Sequence, residues 1–479
     1  MKTVSKKVLS IFVALVISLT AVVPSFAASD LTWKTLWDSE YENAVMLSPG
    51  SNSSEMGISW YNTDDSEPKV LIGTDSALAD AKTVKGESIK TYDGDYANKV
   101  TVTGLEAGKT YYYQCVSGDF ESEVYSFETD VNPDEFTALY MTDIHITAVE
   151  DDLPSQAELE RTAEIFNGVL DEAYSKHNPS ILLSTGDQGS YGLQSEYKGL
   201  SSALALKSIP IATTVGNHDQ KGVAYKTFGI KPNEKTDNIV SSYIGNDYWF
   251  RRGDVLFLVV NSNNASGIDH RNFLRDAVKA NPDAKWKVLM AHHDLYSGRL
   301  PHRESENALL RLIWTPLADE FGIDLVLLGH SHYYTVTNVI YNQKTVQPYA
   351  DTMTDPEGTI YMVSGSITRP RGSDDELGLN EDWIGAWNTP DERTIYNVLD
   401  FTEDSITVSS YYAGEENSFN EYTIVKTDKD GGHPDKISPL YNPAIRFIGT
   451  IVAFFSNFGV YDDITNRYNF DVNFFDVVF

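Results

Sequence analysis

Up to about residue 129 the apolar residues come in short alternating runs: 45–47, 56–60, 69–73, 98–102, 110–116 and 124–127, separated by Gly, Asn, Asp, Ser and Pro. Alternation with a period of two, bounded by turn formers, predicts short strands that each bury one face, and this spacing predicts a small β-sandwich. After a polar link at 131–135 the pattern changes. Apolar runs of strand length (136–141, 181–184, 211–215, 255–260, 286–291, 324–328) alternate with helical periodicity over 155–176, 196–207, 269–280 and 305–321. That alternation predicts a layered α/β domain with a largely buried sheet. Beyond His332 strands dominate again, at 359–364, 394–400 and 405–412, enough to complete a second sheet. No long-range repeat and no low-complexity tract interrupts the pattern.

The two ends read differently. Residues 1–27 have a basic start (Lys2, Lys6, Lys7), an apolar stretch over 8–23 and a small-residue site at Ala27, which predicts a cleaved secretory signal peptide. At the other end Asn442-Pro443 opens a helix, residues 444–458 are strongly apolar, and Gly459 is expected to stop it. About fifteen apolar residues are too few for a bilayer, which needs ~20. Docking on the body of the protein, a membrane-surface helix and a partner-binding helix all remain open for this tail.

Composition narrows the classes. The 479 residues include 41% hydrophobic positions, with 28 Tyr, 21 Phe and 8 Trp, so packed cores rather than disorder are expected. At roughly 150 residues per domain, two or three domains follow. The boundaries expected are a signal peptide at 1–27, a β-sandwich at 30–130, an α/β domain at 136–426 and a tail at 427–479. The formal charge is −32, and loss of residues 1–27, with three lysines and no acid, takes it to −35. Such a surface argues against nucleic acid or an anionic membrane as main partner, because both recruit basic residues. The lone cysteine, Cys115, excludes an intrachain disulfide and a cysteine-rich metal site, and its alternating strand context reads as a buried structural thiol.

The chemistry is concentrated where apolar runs end. They lead into Thr142-Asp143-Ile144-His145, Thr185-Gly186-Asp187, Gly216-Asn217-His218-Asp219, His292-His293-Asp294 and Gly329-His330-Ser331-His332. In an open α/β sheet that edge is where ligands bind. Seven of the ten histidines (145, 218, 292, 293, 302, 330, 332) lie in or beside these segments. Imidazole with carboxylate and amide oxygen suits zinc, manganese or iron. Asp143, His145, Asp187, Asn217, His292, His330 and His332 make seven donors, too many for one open catalytic ion. Two ions sharing a carboxylate fit better, and such a pair clamps the oxygens of an in-line displacement at phosphorus.

The ordered set D-x-H, G-D, G-N-H-D, His-His and G-H-x-H resembles the calcineurin-like metallophosphoesterase superfamily. The segment Val102 to Tyr113, with Gly104-Leu105 and Gly108 ahead of a tyrosine-bearing strand, resembles the fibronectin type III turn. A fibronectin-like domain before the motifs points to the purple acid phosphatase-like branch, and the resemblance covers about residues 30–425. It implies a four-layer α/β (α+β) metallophosphoesterase sandwich flanked by helices, behind a small all-β sandwich. It further implies that Asp143, His145, Asp187 and His332 hold one metal, and that Asp187 bridges to a second held by Asn217, His292 and His330. A hydroxide bridging the metals would attack phosphorus directly. Asn217, His218, His302 and Arg303 would face the substrate, His218 and His302 would orient the phosphate and protonate the leaving oxygen, and Asp219 would fix the His218 tautomer.

One departure is visible. The purple enzymes carry a tyrosine ligand three residues after the bridging Asp and lack the D-x-H histidine; here Ser190 stands at that place, Tyr191 follows, and His145 is present. A tyrosinate–iron chromophore is therefore not expected. Arg299, Arg303, Arg369 and Arg371 are further candidates for phosphate contact, although loop arginines are more often simply solvated. His293 reads as a neighbour of the ligands, and His177, His270 and His433 as surface residues. The function expected is a secreted, extracellular phosphoesterase acting on small phosphate esters, with monoesters favoured. Phosphodiester or nucleotide hydrolysis by the same site, and a non-catalytic extracellular binding protein, are the alternatives, the last disfavoured by the complete ligand set. The metals themselves would make the site an anion trap in an acidic protein.

Overall fold

The computed structural model describes residues 44–147, 155–240, 242, 244–298, 307–372, 381–387, 392–427 and 443–468. The signal peptide expected at 1–27 and the start of the sandwich lie outside them.

Residues 44–128 form two antiparallel sheets. One pairs Met46–Pro49, Glu55–Asn62, Tyr96–Thr103 and Glu87–Lys90; the other is built on Thr110–Ser117, with Lys69–Gly73 and Tyr125–Glu128 beside it. The inward faces meet in a core of Val45, Leu47, Ile58, Trp60, Val70, Val100, Tyr113, Cys115 and Phe127. Leu105 joins that core, and the Tyr111 hydroxyl accepts the Glu106 N–H at 2.9 Å. Cys115 is buried, and burial pushes its thiol far above the usual range, as expected of an inert thiol. The sequence pattern missed Lys82–Lys85 and Glu87–Lys90, because both strands lie largely exposed and lack apolar alternation.

The second domain carries two seven-stranded sheets. Phe136–Met141, Ile181–Ser184 and Ile211–Thr213 run parallel in one; Val255–Val259, Trp286–Met290, Leu325–Leu328 and Ile360–Val363 run parallel in the other. Alternate residues of each strand serve different layers. Ala138, Tyr140, Leu183, Phe257, Val288 and Leu325 fill the space between the sheets. Leu139, Met141 and Leu182 instead meet Ala163, Phe166 and Leu170 of the helix Gln156–His177. Leu256, Leu289 and Val326 meet Phe273, Leu274, Trp314 and Leu317 of the helices Gly267–Ala280 and Asn307–Phe321. The layers are thus helix, sheet, sheet, helix, as the sequence led us to expect.

Local chemistry sets the helix ends. The Ser155 hydroxyl caps Gln156–His177 by accepting the Glu158 N–H at 3.2 Å, and Asn178 closes it in the left-handed conformation at φ 46°. The helix expected over 196–207 is only Gln194–Ser201, followed by a single 3-10 turn at Ala205–Lys207. Lys207 holds that break. Its ammonium donates to the carbonyls of Ser201 (2.9 Å), Ala203 (3.1 Å) and Val45 (3.3 Å), while its own carbonyl accepts the Tyr113 hydroxyl at 2.9 Å. The two domains are therefore pinned behind the loops that carry the site.

The tail helix runs Pro443–Tyr468, through Gly459 rather than ending there. A single glycine costs a helix only about 1 kcal/mol, too little to stop it alone. Arg446, Gly449, Thr450, Val452 and Ala453 are buried against the Gly267–Ala280 and Asn307–Phe321 helices. Among the described residues no helix is long and apolar enough to cross a membrane.

Candidate metal centre

The parallel strands deliver their following residues to one edge, where the two sheets come together. Close approach there depends on glycine. A Cβ on Gly329 would overlap the Thr142 hydroxyl, and one on Gly216 would overlap the Asp187 carboxylate. The residues beside these glycines leave ordinary backbone geometry: Asp143, His145, Asp187, His330 and His332 have φ of 49°, 48°, 53°, 75° and 63°. Each costs of order 1–2 kcal/mol for a non-glycine residue, and such strain persists only where surrounding bonds over-determine it. Here those bonds include Asp143 N–H to the Gly186 carbonyl (3.1 Å) and His145 N–H to the Asp187 carbonyl (2.9 Å).

All seven expected donors are tied by short polar distances. His332 Nε2 lies 3.1 Å from Asp143 Oδ1 and 3.2 Å from His145 Nε2. Asn217 Oδ1 lies 2.9 Å from both His292 Nε2 and His330 Nδ1. Asp187 Oδ2 stands between the two groups, 3.6 Å from His145 Nε2 and 3.3 Å from His292 Nε2. The His330 backbone N–H ties the two groups together by donating to Asp143 Oδ2 at 2.8 Å. Three overlapping sets, Asp143/His145/His332, His145/Asp187/His218 and Asp143/Asp187/His292, have ligand atoms within 4.8 Å of one another. His218 enters one of them, although the family resemblance implies a substrate-facing role for it.

The hydrogen-bond partners of the rings show why a cation belongs here. His292 Nδ1 faces the Thr185 carbonyl at 2.8 Å and His332 Nδ1 faces the Arg369 carbonyl at 2.9 Å, so each Nδ1 is the donor. Their Nε2 lone pairs then point at oxygens. Asp143 Oδ1 is buried with no hydrogen-bond donor of its own. Lone pairs aimed at carboxylate and amide oxygens repel unless positive charge lies among them, and this donor set fits a metal ion. Without metal a proton takes that place. Against burial, Asp187 and Asp143 lift His292 to about 10, and the neighbouring histidines hold both carboxylates well below their usual range. Burial keeps His145 neutral, far below the ordinary imidazole value.

Two buried carboxylates hold the loops. Asp219 accepts from the backbone N–H of Asp187 (2.8 Å), Gln188 (3.1 Å), Gly189 (3.3 Å) and Gly216 (2.8 Å), and from the Tyr197 hydroxyl (2.7 Å). The expected pairing of Asp219 with the His218 ring is not found: both its oxygens are engaged by this loop. Glu196 accepts from Ser190 and Leu193 N–H at 2.9 Å and from Tyr191 at 3.1 Å. Burial pushes Glu196 up to about 8 against those donors, and burial with Asp187 pushes Asp219 up to about 7. Ser190, at the purple enzymes' tyrosine position, sets its hydroxyl oxygen 3.2 Å from His145 Nδ1, where it accepts the ring N–H and leaves Nε2 for a metal.

His218 donates its N–H to Asp187 Oδ1 at 2.8 Å, and its Nδ1 lies 2.9 Å from the Ser190 carbonyl and 2.6 Å from Lys221 Nζ. Burial, joined by Lys221 and Arg369 and opposed by Asp187, draws its ring down to about 4. Lys221 was missed in the sequence, where nothing marks it; the 3-10 turn at Asp219–Lys221 brings it to His218. His293 sits behind the ligands, its Nδ1 2.8 Å from the Ser262 hydroxyl. Arg369 and Arg371 are half-buried, and Arg369 lies by the site, with its carbonyl on His332. Arg299, His302 and Arg303 lie outside the described residues, as does His433. His270, expected at the surface, is 1% exposed, because Asp247 and the Asn264 carbonyl satisfy both ring nitrogens at 2.6 Å. His177 is half-buried beside Tyr396.

Comparison with known proteins follows these divisions. Residues 136–334 match the family model of the calcineurin-like phosphoesterases, and residues 43–129 match that of the purple acid phosphatase N-terminal domain. Among solved structures, purple acid phosphatase PPD1 from yellow lupin (Lupinus luteus) seeds is similar with a TM-score of 0.66 at 15% identity, over 81% of this chain and 75% of that one. The structure of PhoD is similar with a TM-score of 0.55 at 13% identity, over 87% of this chain and 98% of that one. At these identities the likeness is one of fold. No curated protein matches the sequence.

Proposed function

We propose, from the premise that this chain is a purple acid phosphatase-like metallophosphoesterase and so a hydrolase of phosphoric esters, that it is a secreted phosphatase preferring monoesters and using two metal ions. The observation that carries the two-metal reading is the position of Asp187 Oδ2, 3.6 Å from His145 Nε2 on one side and 3.3 Å from His292 Nε2 on the other. Asp143, His145 and His332 would hold one ion, Asn217, His292 and His330 the other, and Asp187 would serve both. Zinc, manganese and iron suit these donors. When bound, the ions supply Lewis-acid charge and an activated water.

The remaining work falls to the chain. The carbonyls of Thr185 and Arg369 keep His292 and His332 as Nδ1–H tautomers, so that Nε2 can bind. Asp219 holds the Asp187 loop, and the His218 ring would donate to a phosphoryl oxygen. His302 and Arg303 would orient the phosphate or protonate the leaving oxygen from the following loop. With Asp143 and Asp187 as the carboxylates among the seven donors, a metal-loaded centre carries net positive charge and draws a small anion through an acidic surface.

Hydrolysis of p-nitrophenyl phosphate, bis-p-nitrophenyl phosphate and ATP, measured after adding each metal, tests this reading. Faster turnover of the monoester is expected. A preference for the diester or for ATP would replace the monoester reading, and no hydrolysis with any metal would sink catalysis altogether. Secretion rests on the reading of residues 1–27, and an exported protein beginning at Ala28 is its expected signature.

A further inference from the structure

We infer that Lys221 is a positioning residue for the hydrolytic reaction: by donating to Nδ1 it fixes His218 with its ring proton on Nε2. The inference rests on the phosphoesterase reading above, and it assigns a role to a residue outside the motif. The turn Asp219–Lys221 is a single 3-10 turn, closed by Lys221 N–H to the His218 carbonyl at 3.1 Å. That geometry brings the lysine side chain back over the histidine three residues before it. Nζ ends 2.6 Å from His218 Nδ1 and 3.4 Å from the Ser190 carbonyl, with the Tyr191 ring 6.0 Å away.

An ammonium has three donors and no acceptor. At 2.6 Å it must therefore donate, and the Nδ1 it meets must present a lone pair. A proton on Nδ1 would put two donors head to head at that distance. The Ser190 carbonyl, 2.9 Å from the same Nδ1, would otherwise select the opposite tautomer, as the Thr185 and Arg369 carbonyls do for His292 and His332. Lys221 is what distinguishes His218 from those two rings. It donates to nitrogen and carbonyl together and leaves Nε2–H on the far edge of the ring. That edge belongs to the site: the His145 and His218 rings meet edge to face with centroids 4.8 Å apart. A neutral imidazole with Nε2–H can donate a hydrogen bond to a phosphoryl oxygen but has no acidic proton to give away. His218 is then an oxygen-binding donor, and protonation of the leaving group falls to another residue.

Nitrogen-15 spectra of histidine-labelled protein, zinc-loaded and metal-free, read the tautomer directly. The wild type should show His218 protonated on Nε2, and Lys221→Met should move the proton to Nδ1. With zinc content and thermal melting unchanged, Lys221→Met should also lower kcat about 10–100-fold with little change in KM, and Lys221→Arg, which keeps a donor, should recover most of that loss. Wild-type His218 protonated on Nδ1, or a tautomer that does not change in Lys221→Met, overturns the inference whatever the activity. Absence of hydrolysis alongside the expected tautomer would instead count against the phosphoesterase reading, so the two failures are separable.

Discussion

The Ser190 hydroxyl lies 3.2 Å from Nδ1 of His145, on the side of the ring away from the Asp143 and Asp187 carboxylates. The residue at the position of the purple enzymes' tyrosine ligand thus partners His145. Ser190→Ala removes the hydroxyl while Glu196 still holds the loop through the Ser190 N–H. Zinc affinity should fall about 10–100-fold, the usual cost of losing such a partner, with thermal stability nearly unchanged. Calorimetric zinc titration checks this; undiminished affinity would show that the hydroxyl does not orient the ring.

Asp219 and Asp187 are both buried acids a few ångströms apart, yet their substitutions should behave oppositely. Asp219→Asn places an amide NH2 against the N–H donors of Asp187, Gln188, Gly189 and Gly216, and should cost about 2–3 kcal/mol of stability. Asp187→Asn weakens the shared ligand and should cut hydrolysis by orders of magnitude with the fold intact. Chemical denaturation of both metal-free variants separates loop holder from ligand.

Metal binding should release protons. In the metal-free protein His292 is raised to about 10, so at neutral pH it carries a proton that an incoming ion must displace. Apparent affinity should therefore rise with pH from neutrality toward about 10 and collapse in acid, where the other ligands protonate as well. Calorimetry in buffers of different ionisation enthalpy counts the protons. Exhaustive chelation should abolish hydrolysis and lower the melting temperature, since an ion at 1,000 times its Kd adds about 4 kcal/mol.

How much of this was legible in the sequence depended on where each partner lies along the chain. The buried strands declared themselves by apolar runs, and Asp143, Asp187, Asn217 and His330 could be picked out because each follows such a run. The Gln156–His177 helix was legible from its own apolar period over 155–176. What escaped depends on distant or unpatterned partners. Asp219 binds backbone N–H groups some 30 residues earlier, and backbone donors leave no trace in sequence. His270 looked superficial because its partner Asp247 lies 23 residues away, in a stretch with no motif. Lys221 looked like one more loop lysine until the 3-10 turn folded it over His218.

His270 gives a pH prediction remote from the metals. Its Nδ1 meets Asp247 and its Nε2 the Asn264 carbonyl, so both nitrogens donate and the charged ring is favoured; against the cost of burial, Asp247 raises its pKa. The folded chain then holds a proton that the unfolded chain, titrating near ~6.5, has released. The stability this adds is fully present below about pH 6.5 and is lost as pH rises through the raised folded value. His270→Gln should therefore be destabilising at about pH 6, and the gap from wild type should narrow as the pH rises through the raised folded value. Urea denaturation across that range decides; a gap that stays constant means the ring is neutral.

Gly449 offers the sharpest test of how the tail helix is seated. In an exposed helix, Gly→Ala adds about 1 kcal/mol of stability, because alanine loses less backbone freedom on folding. At this position, however, a Cβ would overlap the carbonyl oxygen of Ala265, backbone that cannot swing aside, and would press on the Ile313 side chain. Either the helix lifts or the Ala265 turn shifts, and overpacking of that kind costs about 1–3 kcal/mol. Lifting would also strain the Arg446 to Glu320 bond of 3.1 Å, through which the tail shares Glu320 with Arg271 of the Gly267–Ala280 helix. Gly449→Ala should therefore lower the melting temperature, contrary to helix propensity, while an exposed control on the same helix, Phe447→Ala, should not. A rise in stability for Gly449→Ala would mean that this helix is not packed against Ala265 in solution, and would reopen the membrane-surface and partner-binding readings of the tail.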